Sequence, residues 1–130
     1  MIDHHDIWTP CQRFWRPSPR RPIQEWCDER LTLPALSGYQ AGPWRTSAFP
    51  HQRGVFWLLH HPRVEEVTLC WGTRLGKTAI GTAWQAWAAV NDPSPAMVAT
   101  SVATSAREFV DVRLYPLLEE CAETAELLLP

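Results

Sequence analysis

The chain has 130 residues, 45% of them hydrophobic and 20% charged, with a formal charge of −2. That balance excludes wholesale disorder, and the length fits one domain or part of one. Four scattered cysteines without a CxxC pair, a polar N-terminus with no apolar leader and no run of 18 apolar residues predict a soluble, intracellular, reduced protein without a zinc site or a membrane span.

The charge is unevenly placed. Residues 1–63 hold eight arginines against five carboxylates, whereas residues 64–130 hold four basic against nine acidic side chains. A basic front half suits contact with a phosphate backbone and equally suits a solvated arm, so charge alone names no partner.

Residues 1–22 interleave Pro10, Pro17, Pro19 and Pro22 with Arg13, Arg16, Arg20 and Arg21, a mixture that sustains neither a helix nor a central strand and predicts an extended arm. A short helix is expected over 23–30, then a loop over 32–48 punctuated by Pro34, Gly38, Gly42 and Pro43. Pro50 suits the first turn of a helix running to about His61 and closed by Pro62, because its fixed φ fits there and its missing N–H would have no intrahelical partner. Residues 64–70, β-branched and apolar toward their end, predict a strand entering a buried sheet.

Residues 78–90, rich in Ala with Trp84 and Trp87 one turn apart, predict a helix that Asn91, Asp92 and Pro93 end. The apolar run 96–100 suits a second parallel strand, and helical periodicity resumes over about 103–119 despite Pro116. Strand, glycine loop, helix, strand, helix is a βαβ unit, which favours a parallel α/β sheet with right-handed crossovers.

Residues 69–78, Leu-Cys-Trp-Gly-Thr-Arg-Leu-Gly-Lys-Thr, take a predicted strand into Gly76-Lys77-Thr78 and a predicted helix. This is the context of a phosphate loop: glycines let backbone N–H groups turn toward phosphate oxygens, the helix N-terminus adds its dipole, the lysine reaches the terminal phosphates, and the Thr78 hydroxyl is placed for Mg²⁺. The loop departs from G-x-x-x-x-G-K-[ST], because the first glycine position holds Trp71 and Gly72 stands one residue late.

Gly42-Pro43-Trp44-Arg45-Thr46-Ser47, then Pro50-His51-Gln52-Arg53, the run 64–69, the loop 72–78 and the run 96–100 follow in an order that resembles the lambda-like GpA family of phage terminase large subunits. The resemblance runs from about Ile23 to Leu118. It implies an incomplete RecA-like P-loop NTPase over 23–130, an α/β fold with a parallel sheet flanked by helices, behind the 1–22 arm. It also implies ATP and Mg²⁺ as cofactors. Gln52, Trp44 and Arg45 would lie near the adenine, while Gly72, Thr73, Arg74, Leu75, Gly76, Lys77 and Thr78 would hold the phosphates. Lys77 would bind the β- and γ-phosphates, Arg74 would stabilise transferred charge, and Thr78 would bind the metal.

The parent protein would be an ATP-driven DNA-packaging motor and endonuclease in the host cytoplasm, homo-oligomeric on the capsid. Its partners would be double-stranded DNA, the small terminase subunit and the portal. The metal-completing acid of such a motor is not found: Glu65 and Glu66 precede the loop, and Glu119, Glu120, Glu123 and Glu126 sit on a helical pattern. That acid and the nuclease are expected beyond this chain, which reads as a truncated piece. The alternatives are a helicase-like P-loop NTPase, and a non-catalytic remnant or binding module whose arm meets a partner.

Several other residues have bland readings. Trp57, Trp84 and Trp87 are assigned to core packing rather than base stacking. His4-His5 and His60-His61 are assigned to the surface, because adjacent helical residues diverge. Ser101, Thr104 and Ser105 offer a DNA-facing segment or a helix N-cap, and the cap is preferred.

Overall fold

The computed structural model describes residues 20–35 and 41–128, so all but the last three residues of the expected arm lie outside the described residues. Helix α1, Ile23–Arg30, starts directly after Pro22 and buries Ile23, Trp26 and Cys27, the i, i+3, i+4 stripe of one helical face. It stops where Leu31 turns to extended backbone and buries its own side chain, and the Leu31 carbonyl then accepts the Trp44 N–H at 2.8 Å. That bond leads into an antiparallel pair that the sequence did not suggest, β1 (Thr32–Leu33) against β2 (Gly42–Pro43), in the register Thr32↔Pro43 and Leu33↔Gly42. Gly42 makes this pairing possible, since its φ of +129° is barred to residues with a Cβ.

Two 3₁₀ turns follow, Thr46–Ala48 and Pro50–Gln52, and the second continues as α2, Arg53–His60. The expected 50–61 helix is therefore present, with a tightened first turn of the kind common at helix starts. The first 3₁₀ turn is tied back to α1 by the Thr46 N–H, which donates to Asp28 Oδ1 at 2.6 Å.

Helix α3, Lys77–Asn91, is the centre of the molecule. Ala79, Ile80, Ala83, Ala86 and Trp87 are buried along it, and the small alanines let α1, α2 and the C-terminal helices approach closely. Asn91 Nδ2 donates to the Trp87 carbonyl at 3.1 Å, which satisfies this buried side chain in the last turn before Asp92 and Pro93 end the helix.

The long C-terminal helix is broken into α4 (Ala103–Phe109), a π turn (Val110–Leu114) and α5 (Tyr115–Glu120). Pro116 explains the break: it has no N–H for the carbonyl four residues back and its ring would collide with it, so the turn before it widens. The N-cap expectation is corrected: α4 is capped by Val102 without a side-chain bond, and Thr100 Oγ1 donates to the Val102 carbonyl instead. A last short helix, α6 (Ala122–Ala125), presents Glu123 to α1. Its carboxylate accepts the Trp26 indole N–H at 2.8 Å and lies 3.4 Å from Arg30 Nε and 3.8 Å from an Arg21 guanidinium nitrogen.

The expected parallel sheet is not seen among the described residues, where the fold is mainly helical with β1–β2 as its two-stranded antiparallel sheet. Residues 64–70 form no ladder, yet keep the inside-outside rhythm of a strand, with Val67, Leu69 and Trp71 packed on the core and Glu66, Thr68 and Cys70 exposed. Residues 96–100 are exposed throughout, Met97 at 89%. A strand exists by pairing, and neither run has a partner among the described residues. No described helix is long and apolar enough to cross a membrane.

Candidate functional site

The run 71–76 turns through Thr73, Arg74 and Leu75 and enters α3 at Lys77. Lys77 folds back over it, its Nζ donating to the Trp71 carbonyl at 2.9 Å and to the Gly72 carbonyl at 2.6 Å. The ammonium thus closes residues 71–77 into a ring at the N-terminal mouth of α3, where free N–H groups and the helix dipole favour an anion. Arg74 takes a φ of +62°, in the left-handed region that a side chain resists, and Gly76 takes +82°.

The two glycines of the loop are not equivalent. A Cβ on Gly72 would meet the Leu75 side chain at an ordinary 3.6 Å, whereas one on Gly76 would stand 2.5 Å from Gln52 Nε2. Glycine is favoured at Gly76 by its φ of +82°, and a Cβ there would also push aside the amide end of Gln52, brought there from the start of α2. Gln52 is 1% exposed and its Oε1 has no partner, an arrangement that leaves an acceptor buried at a cost of about 1–3 kcal/mol until a donor arrives.

Beside this contact lies a pocket of about 100 Å³ walled by Trp44, Arg45, Phe49, Gln52, Arg74 and Gly76. The residues expected on the base side and two of those expected on the phosphate side therefore share one cavity. Trp44 contributes as a wall only: it is 4% exposed, its indole N–H donates to Thr46 Oγ1 at 3.0 Å, and its ring packs edge-on to Phe56. Thr73, Leu75 and Thr78 are exposed and Lys77 is half-buried. The described ion pairs involve Arg20, Arg21 and Arg30, so Arg45, Arg74 and Lys77 have no carboxylate partner among the described residues and leave this side of the molecule positive.

The sequence reading passed over His51. Its Nε2 lies 3.2 Å from the Leu75 carbonyl, and since a carbonyl only accepts, the imidazole carries its hydrogen on Nε2. The ring also meets Trp71 edge-on at 5.0 Å and Phe49 at 6.1 Å. In the sequence His51 stands only as part of the segment Pro50-His51-Gln52-Arg53, with nothing that marks a role of its own.

The assignment of tryptophans to packing holds for Trp87 but not for Trp57, which is 64% exposed and tilted over His61 at 5.0 Å. His60 is exposed and its ring stands edge-on to Trp87.

A family model described as the ATPase domain of the phage terminase large subunit gpA matches residues 38–130. No curated protein and no solved structure shows significant similarity to the chain.

Proposed function

Because the chain belongs to the phage terminase large subunit gpA ATPase domain family, matched from residue 38 to residue 130, we propose that residues 71–78 bind the triphosphate of Mg²⁺–ATP as part of a DNA-packaging motor. The observation that supports this most is the ring closed by Lys77 across the Trp71 and Gly72 carbonyls at the start of α3. An ammonium held there by two neutral acceptors exchanges them for phosphate oxygens without moving far, and charge-assisted bonds are the stronger ones.

The remaining equipment fits a nucleotide. The orphaned Gln52 Oε1 is an acceptor for an amino group on a base in the adjoining pocket, and Arg45 and Phe49 flank it. The Thr78 hydroxyl, exposed in the first turn of α3, is the donor set's contribution to Mg²⁺, and Arg74 supplies a second positive charge beside the loop. Bound Mg²⁺–ATP supplies the phosphoanhydride that a packaging motor cleaves. The residues of this chain supply orientation and charge neutralisation, which is most of what phosphoryl transfer asks of a protein. Residues 23–130 are read as belonging to that one ATPase unit. Double-stranded DNA, the small terminase subunit and the portal are the partners this reading entails, with the host cytoplasm as its setting.

The test is equilibrium binding of Mg²⁺–ATP to the purified chain, compared with Lys77→Ala. A loss of tenfold or more in the variant is expected, the scale of one charge-assisted contact. Indistinguishable signals from parent and variant would end the phosphate-loop reading.

A further inference from the structure

We infer that His51 is a positioning residue of the phosphate loop, which holds the Leu75–Gly76 peptide in its binding orientation. The inference rests on the phosphate-loop reading above. A trans peptide directs its C=O and its N–H to opposite sides. By donating from Nε2 to the Leu75 carbonyl at 3.2 Å, His51 therefore fixes the Gly76 N–H away from itself, as a donor free for a ligand. The same ring rests against Trp71 at 5.0 Å, and Trp71 is the residue whose carbonyl holds Lys77 Nζ at 2.9 Å. One side chain thus touches both ends of the loop, the entry at Trp71 and the exit at Leu75.

The setting makes His51 more than a passive neighbour. It stands on the Pro50–Gln52 turn, whose next residue, Gln52, sets its side-chain amide against Gly76. Pro50 fixes φ at the start of that turn, from which His51 and Gln52 both reach the loop. His51 is itself exposed, so replacing it removes these contacts without opening the core.

The experiment measures affinity for Mg²⁺–ATP and for inorganic tripolyphosphate, which has no base, in the parent chain and in His51→Ala, His51→Asn, His51→Phe and Lys77→Ala. His51→Ala should weaken both ligands by about fivefold, the factor equivalent to about 1 kcal/mol for one net hydrogen bond. His51→Asn, which keeps an N–H donor, should recover most of that loss, while His51→Phe, which keeps a ring but no donor, should not. Equal thermal midpoints across the His51 series establish that folding is unchanged. If Lys77→Ala loses binding while His51→Ala stays within twofold of the parent, the positioning role is overturned and the phosphate loop stands. If His51→Ala weakens ATP but not tripolyphosphate, the residue serves the base pocket and the inference is likewise overturned. If the parent binds neither ligand, both readings fall together.

Discussion

At the scale of single residues the loop carries a measurable signature in Arg74. Its φ of +62° costs an L-residue roughly 1–2 kcal/mol that a glycine would not incur, set against the roughly 0.5–1 kcal/mol by which glycine favours the unfolded chain. Urea denaturation of Arg74→Gly and Arg74→Ala separates conformation from charge. The glycine variant should be more stable than the alanine variant by about 1 kcal/mol, while both bind Mg²⁺–ATP less tightly than the parent. Equal midpoints for the two would mean that no backbone strain is stored at this position. The sequence announced Gly76, Lys77 and Thr78 through their order alone, because a phosphate loop is built from contiguous backbone. It gave no sign of His51, which meets the loop across more than twenty intervening residues and carries no motif of its own.

Among the elements, α1 and α6 are joined by one carboxylate. Glu123, 27% exposed, accepts from the fully buried Trp26 indole and neighbours two arginines that remain partly solvated. The hydrogen bond should outweigh the ion pairs, since exposed pairs contribute about 0–1 kcal/mol whereas a bond to a charged acceptor contributes about 1.5–3 kcal/mol. Glu123→Ala is expected to lower unfolding free energy by about 2 kcal/mol, and Glu123→Gln, which retains an acceptor for Trp26, by less than half of that. Chemical denaturation gives both values. Equal losses in the two would show that the arginines, and not the indole, set the importance of this residue. Helix bounds here were largely legible in advance: Pro22, Pro50, Asn91 and Pro93 stop or start helices for local reasons, and α1 spans the expected 23–30. The π turn before Pro116 shows the same local logic, with the proline distorting the helix instead of ending it.

For the whole molecule, the core gathers Ile23, Trp26, Cys27, Leu31, Phe56, Ile80, Trp87 and Leu117 around α3, and Cys27 gives it a pH dependence. Burial, together with the charge of Asp28 and the neighbouring Cys121, pushes the Cys27 thiol above its ordinary range. The unfolded chain therefore releases this proton at lower pH than the folded one. The contribution is fully present below the ordinary thiol value of about 8.5 and is lost as pH rises past it, with a slope approaching about 1.4 kcal/mol per pH unit. Unfolding free energies measured between pH 7.5 and 10 should consequently fall less steeply in Cys27→Ala than in the parent, and parallel curves would exclude Cys27 as the source.

What the sequence settled by itself is the set of features whose bonds are local: the helices, their proline and glycine boundaries, the loop leading into Lys77, and the terminase resemblance that rests on the order of those segments. What the tertiary structure alone decided is everything joined across the chain. It paired 32–33 with 42–43, left 64–70 and 96–100 without ladders, exposed Trp57, seated Gln52 against Gly76 and set His51 on Leu75. Helical hydrogen bonds close within four residues and so follow from nearby side chains. Strand ladders and site contacts close over tens of residues, and their partners are chosen by packing that no local pattern encodes.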